Sequence, residues 1–175
     1  MRGFFASWLK KTGRPFLNKN NRNSDCVPLL ADVLDNAIFV EVSREPEYVI
    51  QSILLAREAI QGRVERGWGL DSEQVELGAE RETVIDAVCD QVMRIQRKLE
   101  HAATAVGDGR YLRVRYEDLC QEPGAVVASI AAHIPQVGLR PGTDLASIGP
   151  FSVRNGCRLP QSEMQYIRRR LAPSG

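Results

Sequence analysis

The chain is poor in the residues that most often announce chemistry. Histidine occurs only at 101 and 133. Both lie near the ends of segments that read as helices, where a cation favours the dipole rather than a reaction. The four cysteines, Cys26, Cys89, Cys120 and Cys157, are scattered, and no pair has metal-ligand spacing. A zinc site is therefore not expected, and a reducing, cytoplasmic setting is. No hydrophobic run is long enough for a signal peptide or a membrane span. No GxxxxGK[ST] is present, which argues against a kinase-like nucleotide enzyme. Basic residues lack interleaved aromatics, so no nucleic-acid partner is expected. Internal repeats and low-complexity tracts are also missing.

Acidic residues are absent from the first 22 positions, which carry six basic ones: Arg2, Lys10, Lys11, Arg14, Lys19 and Arg22. Residues 154–170 hold five arginines against Glu163 alone. The overall charge of +1 thus hides two basic ends around an acidic middle. The ends either converge on one anionic ligand or form two solvated surfaces, and charge alone does not choose. With 175 residues and 26% charged side chains, one soluble domain over 1–175 is expected, with its own core.

Hydrophobic periodicity supplies the elements. Phe4, Phe5, Trp8 and Leu9 predict an amphipathic helix within 1–14 that packs on the body of the protein. Phe16-Leu17-Asn18 reads as a short strand or extended segment. Ser24 is a suitable cap for a helix carrying Val27, Leu30, Val33 and Leu34. Ile38–Val42 reads as a buried strand, and Pro46 opens a helix to Ile60. Residues 62–80 form a Gly-rich, acidic loop or insertion around Trp68. Val84, Val88, Val92, Ile95, Leu99 and Ala102 give a stripe at helical period, predicting a helix over 82–105. Leu112, Val114 and Tyr116 share one strand face, with Arg113 and Arg115 on the other. Helices follow over 123–134 and from Pro160 onwards, with 135–158 irregular. This order predicts an α/β protein whose parallel sheet is flanked by helices.

One junction concentrates anion-binding chemistry. The strand ending at Val42 delivers Arg44, and the next helix, opened by Pro46, carries Ser52. The carboxyl end of a parallel strand opens into a crevice. The following helix N-terminus offers unpaired N–H groups and partial positive charge. Arginine adds a planar fork for two oxygens of one phosphate. Taken alone, the pair is equally an ordinary capping arginine and a helix serine.

Several segments together resemble the sulfotransferases that use 3′-phosphoadenosine 5′-phosphosulfate (PAPS). Phe16-Leu-Asn-Lys-Asn-Asn-Arg-Asn23 is similar to the family's lysine-bearing segment. Val42-Ser-Arg-Glu-Pro46 with Ser52 is similar to its 3′-phosphate site. Arg115-Tyr-Glu-Asp-Leu119 with Glu122-Pro123 matches a strand-end feature, and Val153-Arg-Asn-Gly156 a late basic loop. The resemblance covers about residues 14–170 and implies a P-loop-type sulfotransferase fold. It implies Lys19 as the catalytic cation, and Arg44, Ser52, Tyr116, Arg154 and Gly156 as donor-binding residues. PAPS is then the sulfuryl donor, without a metal, and a small molecule or glycan the acceptor. Two departures stand out. The family's N-terminal loop for the 5′-phosphosulfate has no counterpart here, so the chain is expected to be N-terminally incomplete. Asn21 occupies the position where the cytosolic branch carries a histidine, so no general base is assigned. The resemblance leaves open a second reading, a non-catalytic or truncated remnant that binds nucleotide or a partner chain. For Tyr116 core packing beside Leu112 and Val114 is an alternative, for Arg154 and Gly156 a solvated loop, and for Lys19 a surface position.

Overall fold

A computed structural model of the chain describes residues 2–134, 139 and 142–172. Its elements are α1 (Arg2–Thr12), a 3-10 turn (Asn21–Asp25), α2 (Val27–Val33), β1 (Phe39–Ser43), α3 (Pro46–Gln61), α4 (Arg81–Val106), β2 (Tyr111–Arg115), α5 (Tyr116–Gln121), α6 (Pro123–Ala132), a second 3-10 turn (Leu145–Ser147) and α7 (Gln161–Leu171). The α/β class and the parallel pairing agree with the sequence. Among the described residues the sheet has two strands, β1 and β2, paired from Phe39 opposite Tyr111 to Ser43 opposite Arg115. No described helix is long and apolar enough to cross a membrane.

The chain divides into two compact units: Met1–Ser43 with Leu99–Val153, and Arg44–Lys98 with Arg154–Gly175. The first holds the sheet. One sheet face is covered: Phe39 packs with Val27, Ala102 and Tyr111. On the same face, the Tyr111 hydroxyl donates to Glu41 at 2.7 Å and Arg113 donates to it at 3.2 Å. The other face carries Val40 and Val42, both exposed. The expectation of a fully buried strand over 38–42 is thereby corrected. Two strands with one covered face produce alternation, not a continuous apolar run.

The second unit is built on helices. Ile50 and Leu54 of α3, Val84, Ile85, Val88, Cys89 and Val92 of α4, and Leu159, Met164 and Ile167 share one buried cluster. Burying each large aliphatic side chain contributes about 1.5–3 kcal/mol. Pro46 occupies the first turn of α3, where a missing N–H costs nothing. Gly62, with φ of 69°, closes the helix in the left-handed conformation that other residues avoid. Burial pushes the Cys89 thiol up to about 12, leaving a small inert hydrophobe in the core.

Of the two alternatives for residues 16–18, a short strand or an extended segment, the strand does not form. Three further expectations are corrected. Ser24 lies inside the 3-10 turn, which Asn20 caps by accepting from the Arg22 amide at 3.0 Å; α2 starts after Cys26. The Phe4, Phe5 and Trp8 rings of α1 close on Phe16, with centroids 5.9, 5.2 and 5.6 Å away, and Phe4, Trp8 and Leu9 stay exposed rather than packing into a core. Tyr116 begins α5 instead of ending β2. The irregular segment expected over 135–158 falls partly outside the described residues.

Candidate functional site

The second unit gathers four of the predicted donor-binding residues: Arg44, Ser52, Arg154 and Gly156. Arg44 leaves β1 and precedes α3. Its Nε donates to the Asn155 side-chain oxygen at 3.1 Å, and a terminal nitrogen donates to the Arg154 carbonyl. Its guanidinium carbon sits 5.6 Å from the centroid of the Tyr48 ring, a cation–π contact. Ser52 is exposed and donates to the Tyr48 carbonyl at 2.8 Å. Arg44, Tyr48 and Ser52 are four residues apart in turn. That spacing keeps Tyr48 and Ser52 on one side of α3, below the arginine.

Gln51, next to Ser52, faces inward and is fully buried. Its amide nitrogen donates to the Gly156 carbonyl at 2.9 Å. Its oxygen accepts from the amides of Arg158 and Leu159 at 2.6 and 3.2 Å. The segment 154–159 is thus fastened at two points, by Arg44 just before α3 and by Gln51 in the second turn of α3. At Gly156 a β-carbon would meet no heavy atom within 4 Å, so its backbone is open to an approaching ligand. Gln51→Leu keeps the volume but orphans one carbonyl and two amides. It should speed hydrogen exchange at Arg158 and Leu159 about thirtyfold, equivalent to about 2 kcal/mol. Unchanged exchange would remove Gln51 as the fastening.

Tyr48, Gln51 and Asn155 are absent from the residues that sequence singled out. The signal for Gln51 was a polar residue inside the apolar face running through Ile50 and Leu54. For Tyr48 it was the four-residue spacing on both sides.

Charge around the segment is managed by a bidentate pair. Arg168 of α7 donates to Glu47 of α3 at 2.7 and 3.1 Å, and lies 3.9 Å from the Cys157 sulfur. The bond from Arg168 holds the Glu47 carboxyl below its ordinary value of 4.5 against an opposing effect of burial. A depressed carboxylate contributes stability above its ordinary pKa, and the contribution is lost as pH falls through the folded value. Urea midpoints of wild type should therefore fall below pH 4.5 more steeply than those of Glu47→Gln. Parallel curves would contradict the pairing.

The other two predicted residues belong to the first unit. Lys19 lies exposed in the segment between α1 and the first 3-10 turn. Tyr116 is half-buried at the start of α5. Glu117 and Asp118 occupy the first turn of that helix, where carboxylates favour the dipole.

The family model described as the sulfotransferase family matches residues 2–136. No curated protein and no solved structure matches the chain. The matched stretch contains Lys19, Arg44, Ser52 and Tyr116, and it runs over most of the sequence. The chain belongs to the sulfotransferase family, whose chemistry is sulfuryl transfer.

Proposed function

We propose that this protein transfers a sulfuryl group from PAPS to a hydroxyl or amine of a small molecule or glycan. The observation that carries the reading is the arrangement at the start of α3. The Arg44 guanidinium is fixed by Asn155, the Arg154 carbonyl and the Tyr48 ring, with the Ser52 hydroxyl exposed one turn beyond that ring. A planar cation fixed at the entry to α3, and a hydroxyl on the side of that helix carrying Tyr48, suit a dianionic phosphate ester. The exposed Arg154 side chain and the open Gly156 backbone extend the same recognition. The residues present therefore fit a 3′-phosphate.

The donor supplies an activated sulfuryl group carried on a 5′-phosphate. Arg44 and Ser52 hold the 3′-phosphate, with Arg154 and Gly156 completing the contact. Tyr116 lines the adenine. Lys19 places an ammonium against the oxygen that bridges sulfur and phosphorus. Its attraction grows as that oxygen gains charge, so it favours the transition state over the ground state. Held in line, the acceptor oxygen or nitrogen bonds to sulfur as the bond from sulfur to the 5′-phosphate oxygen breaks; 3′,5′-adenosine bisphosphate leaves, and the acceptor proton passes to a base that no residue here is assigned to be.

A second reading draws on the sheet. Among the described residues it has two strands and leaves Val40 and Val42 exposed, a face suited to a partner chain in a non-catalytic scaffold that binds nucleotide or a partner. Incubation with sulfur-labelled PAPS and a panel of phenols, alcohols, amines and sugars separates the two. Label on any acceptor supports the transferase. Binding of 3′,5′-adenosine bisphosphate with no transfer supports the scaffold, and neither would overturn both.

A further inference from the structure

We propose that α1 and the segment following it form a peripheral docking surface for anionic lipid bilayers. At 3.6 residues per turn, Phe4, Trp8, Phe5 and Leu9 fall within an arc of about 140°. Phe4 and Leu9 are 57% and 54% exposed. The helix ends at Gly13, whose amide donates to the Leu9 carbonyl at 2.8 Å and whose φ is 62°. Thr12 and Arg14 lock the reversal: the Thr12 hydroxyl donates to the Trp8 carbonyl at 2.8 Å and accepts from the Arg14 amide at 3.2 Å. The chain then brings Phe16 back against Phe4, Phe5 and Trp8, edge to face. Leu17 follows, 93% exposed. Phe4, Phe5, Trp8 and Phe16 are thus preassembled into one aromatic knob, with Leu9 and Leu17 exposed next to Trp8 and Phe16 in the chain.

Charge selects the occupant. Lys10, Lys11 and Arg14 are exposed, and residues 1–22 contain no acidic side chain; Lys10 lies on the helix face opposite the arc. Lys11 borders the apolar arc beside Phe4, where a long basic side chain lies along the knob and reaches outward with its ammonium. Aromatic rings and leucines on one face, with Lys11 at its edge and Lys10 on the opposite face, match a helix lying at the boundary between acyl chains and anionic headgroups. The surface lies on the helix rather than across it, in keeping with the absence of a spanning helix among the described residues.

The test uses the whole chain and vesicles of phosphatidylcholine with or without phosphatidylserine. The protein should sediment with the phosphatidylserine vesicles and be released by high salt. In a Trp68→Phe background, Trp8 emission should shift to the blue on binding. Lys10→Glu with Lys11→Glu should weaken the partition at least about thirtyfold, and Trp8→Ser with Phe4→Ser should abolish it, both with unchanged circular dichroism. Failure to sediment, or equal binding to neutral vesicles, overturns the proposal. So does a self-associated chain in solution that Trp8→Ser with Phe4→Ser converts to monomer, because the knob would then be an interface between copies. None of these outcomes depends on sulfuryl transfer.

Discussion

Replacing Arg44 with alanine is expected to weaken binding of 3′,5′-adenosine bisphosphate about thirtyfold, or about 2 kcal/mol. The effect has two sources. The charge-assisted bonds to the phosphate are lost. The segment 154–155 also loses its bonds to Arg44, so the residues that complete the contact are less well placed. Arg44→Lys keeps the charge but not the fork, and should fall between. The control is adenosine 5′-monophosphate, which lacks the 3′-phosphate. Its affinity should change little in either variant. Equal losses for both nucleotides would mean that Arg44 supports the fold and not the phosphate.

The second large effect concerns stability. Arg57 of α3 is fully buried, and among the described residues its bonds run to carbonyl oxygens rather than to a carboxylate. It donates to the carbonyls of Val64 and Glu73 at 3.2 and 3.3 Å and to the Gln91 side-chain oxygen at 3.2 Å. Gln91 in turn donates to the carbonyls of Trp68 and Leu70 at 2.8 and 2.7 Å. One arginine and one glutamine therefore fasten the loop over 62–80 from beneath. Burial lowers the Arg57 pKa, yet a guanidinium remains protonated, so the charge is held by carbonyl dipoles. Its Nε has no partner among the described residues, which shows that the compensation is incomplete. Arg57→Ala removes that burden but orphans three acceptors and opens a cavity. The net loss should be about 4 kcal/mol, read from urea unfolding. Arg57→Met fills the space without the charge and should lose about half as much. A loss below about 1 kcal/mol for Arg57→Ala would show that the loop does not rely on this residue.

How much of this was legible in the sequence depends on the kind of signal. The helix α4 was plain because an apolar stripe at period 3.6 runs from Val84 to Ala102. The bounds of α3 were plain because Pro46 and Gly62 punctuate it. β1 was displaced by one residue, and its burial was overstated. Ile38–Val42 is apolar enough to pass for a central strand, and a strand's burial is decided by how many neighbours cover it. Tyr116 was misplaced because β2 runs into α5 with no glycine or proline between them, and tyrosine suits both states. The fastenings were hidden for a different reason. Gln51 and Arg57 sit on the inward face of α3, and their partners are backbone carbonyls and amides, which every sequence position possesses. Composition cannot reveal such bonds. At the candidate site, the places of Arg44 after β1 and of Ser52 on α3 were readable, whereas the Tyr48 ring beneath the guanidinium and the Asn155 contact required the path of the chain between residues 154 and 159.

The claim on which the account turns is that the start of α3 recognises a phosphate ester in the 3′ position. Calorimetric titration of the wild-type chain with 3′,5′-adenosine bisphosphate and, separately, adenosine 5′-monophosphate tests it. The bisphosphate should bind at least about tenfold more tightly, the gain from one charge-assisted contact. Equal affinities, or binding of neither nucleotide, would contradict it.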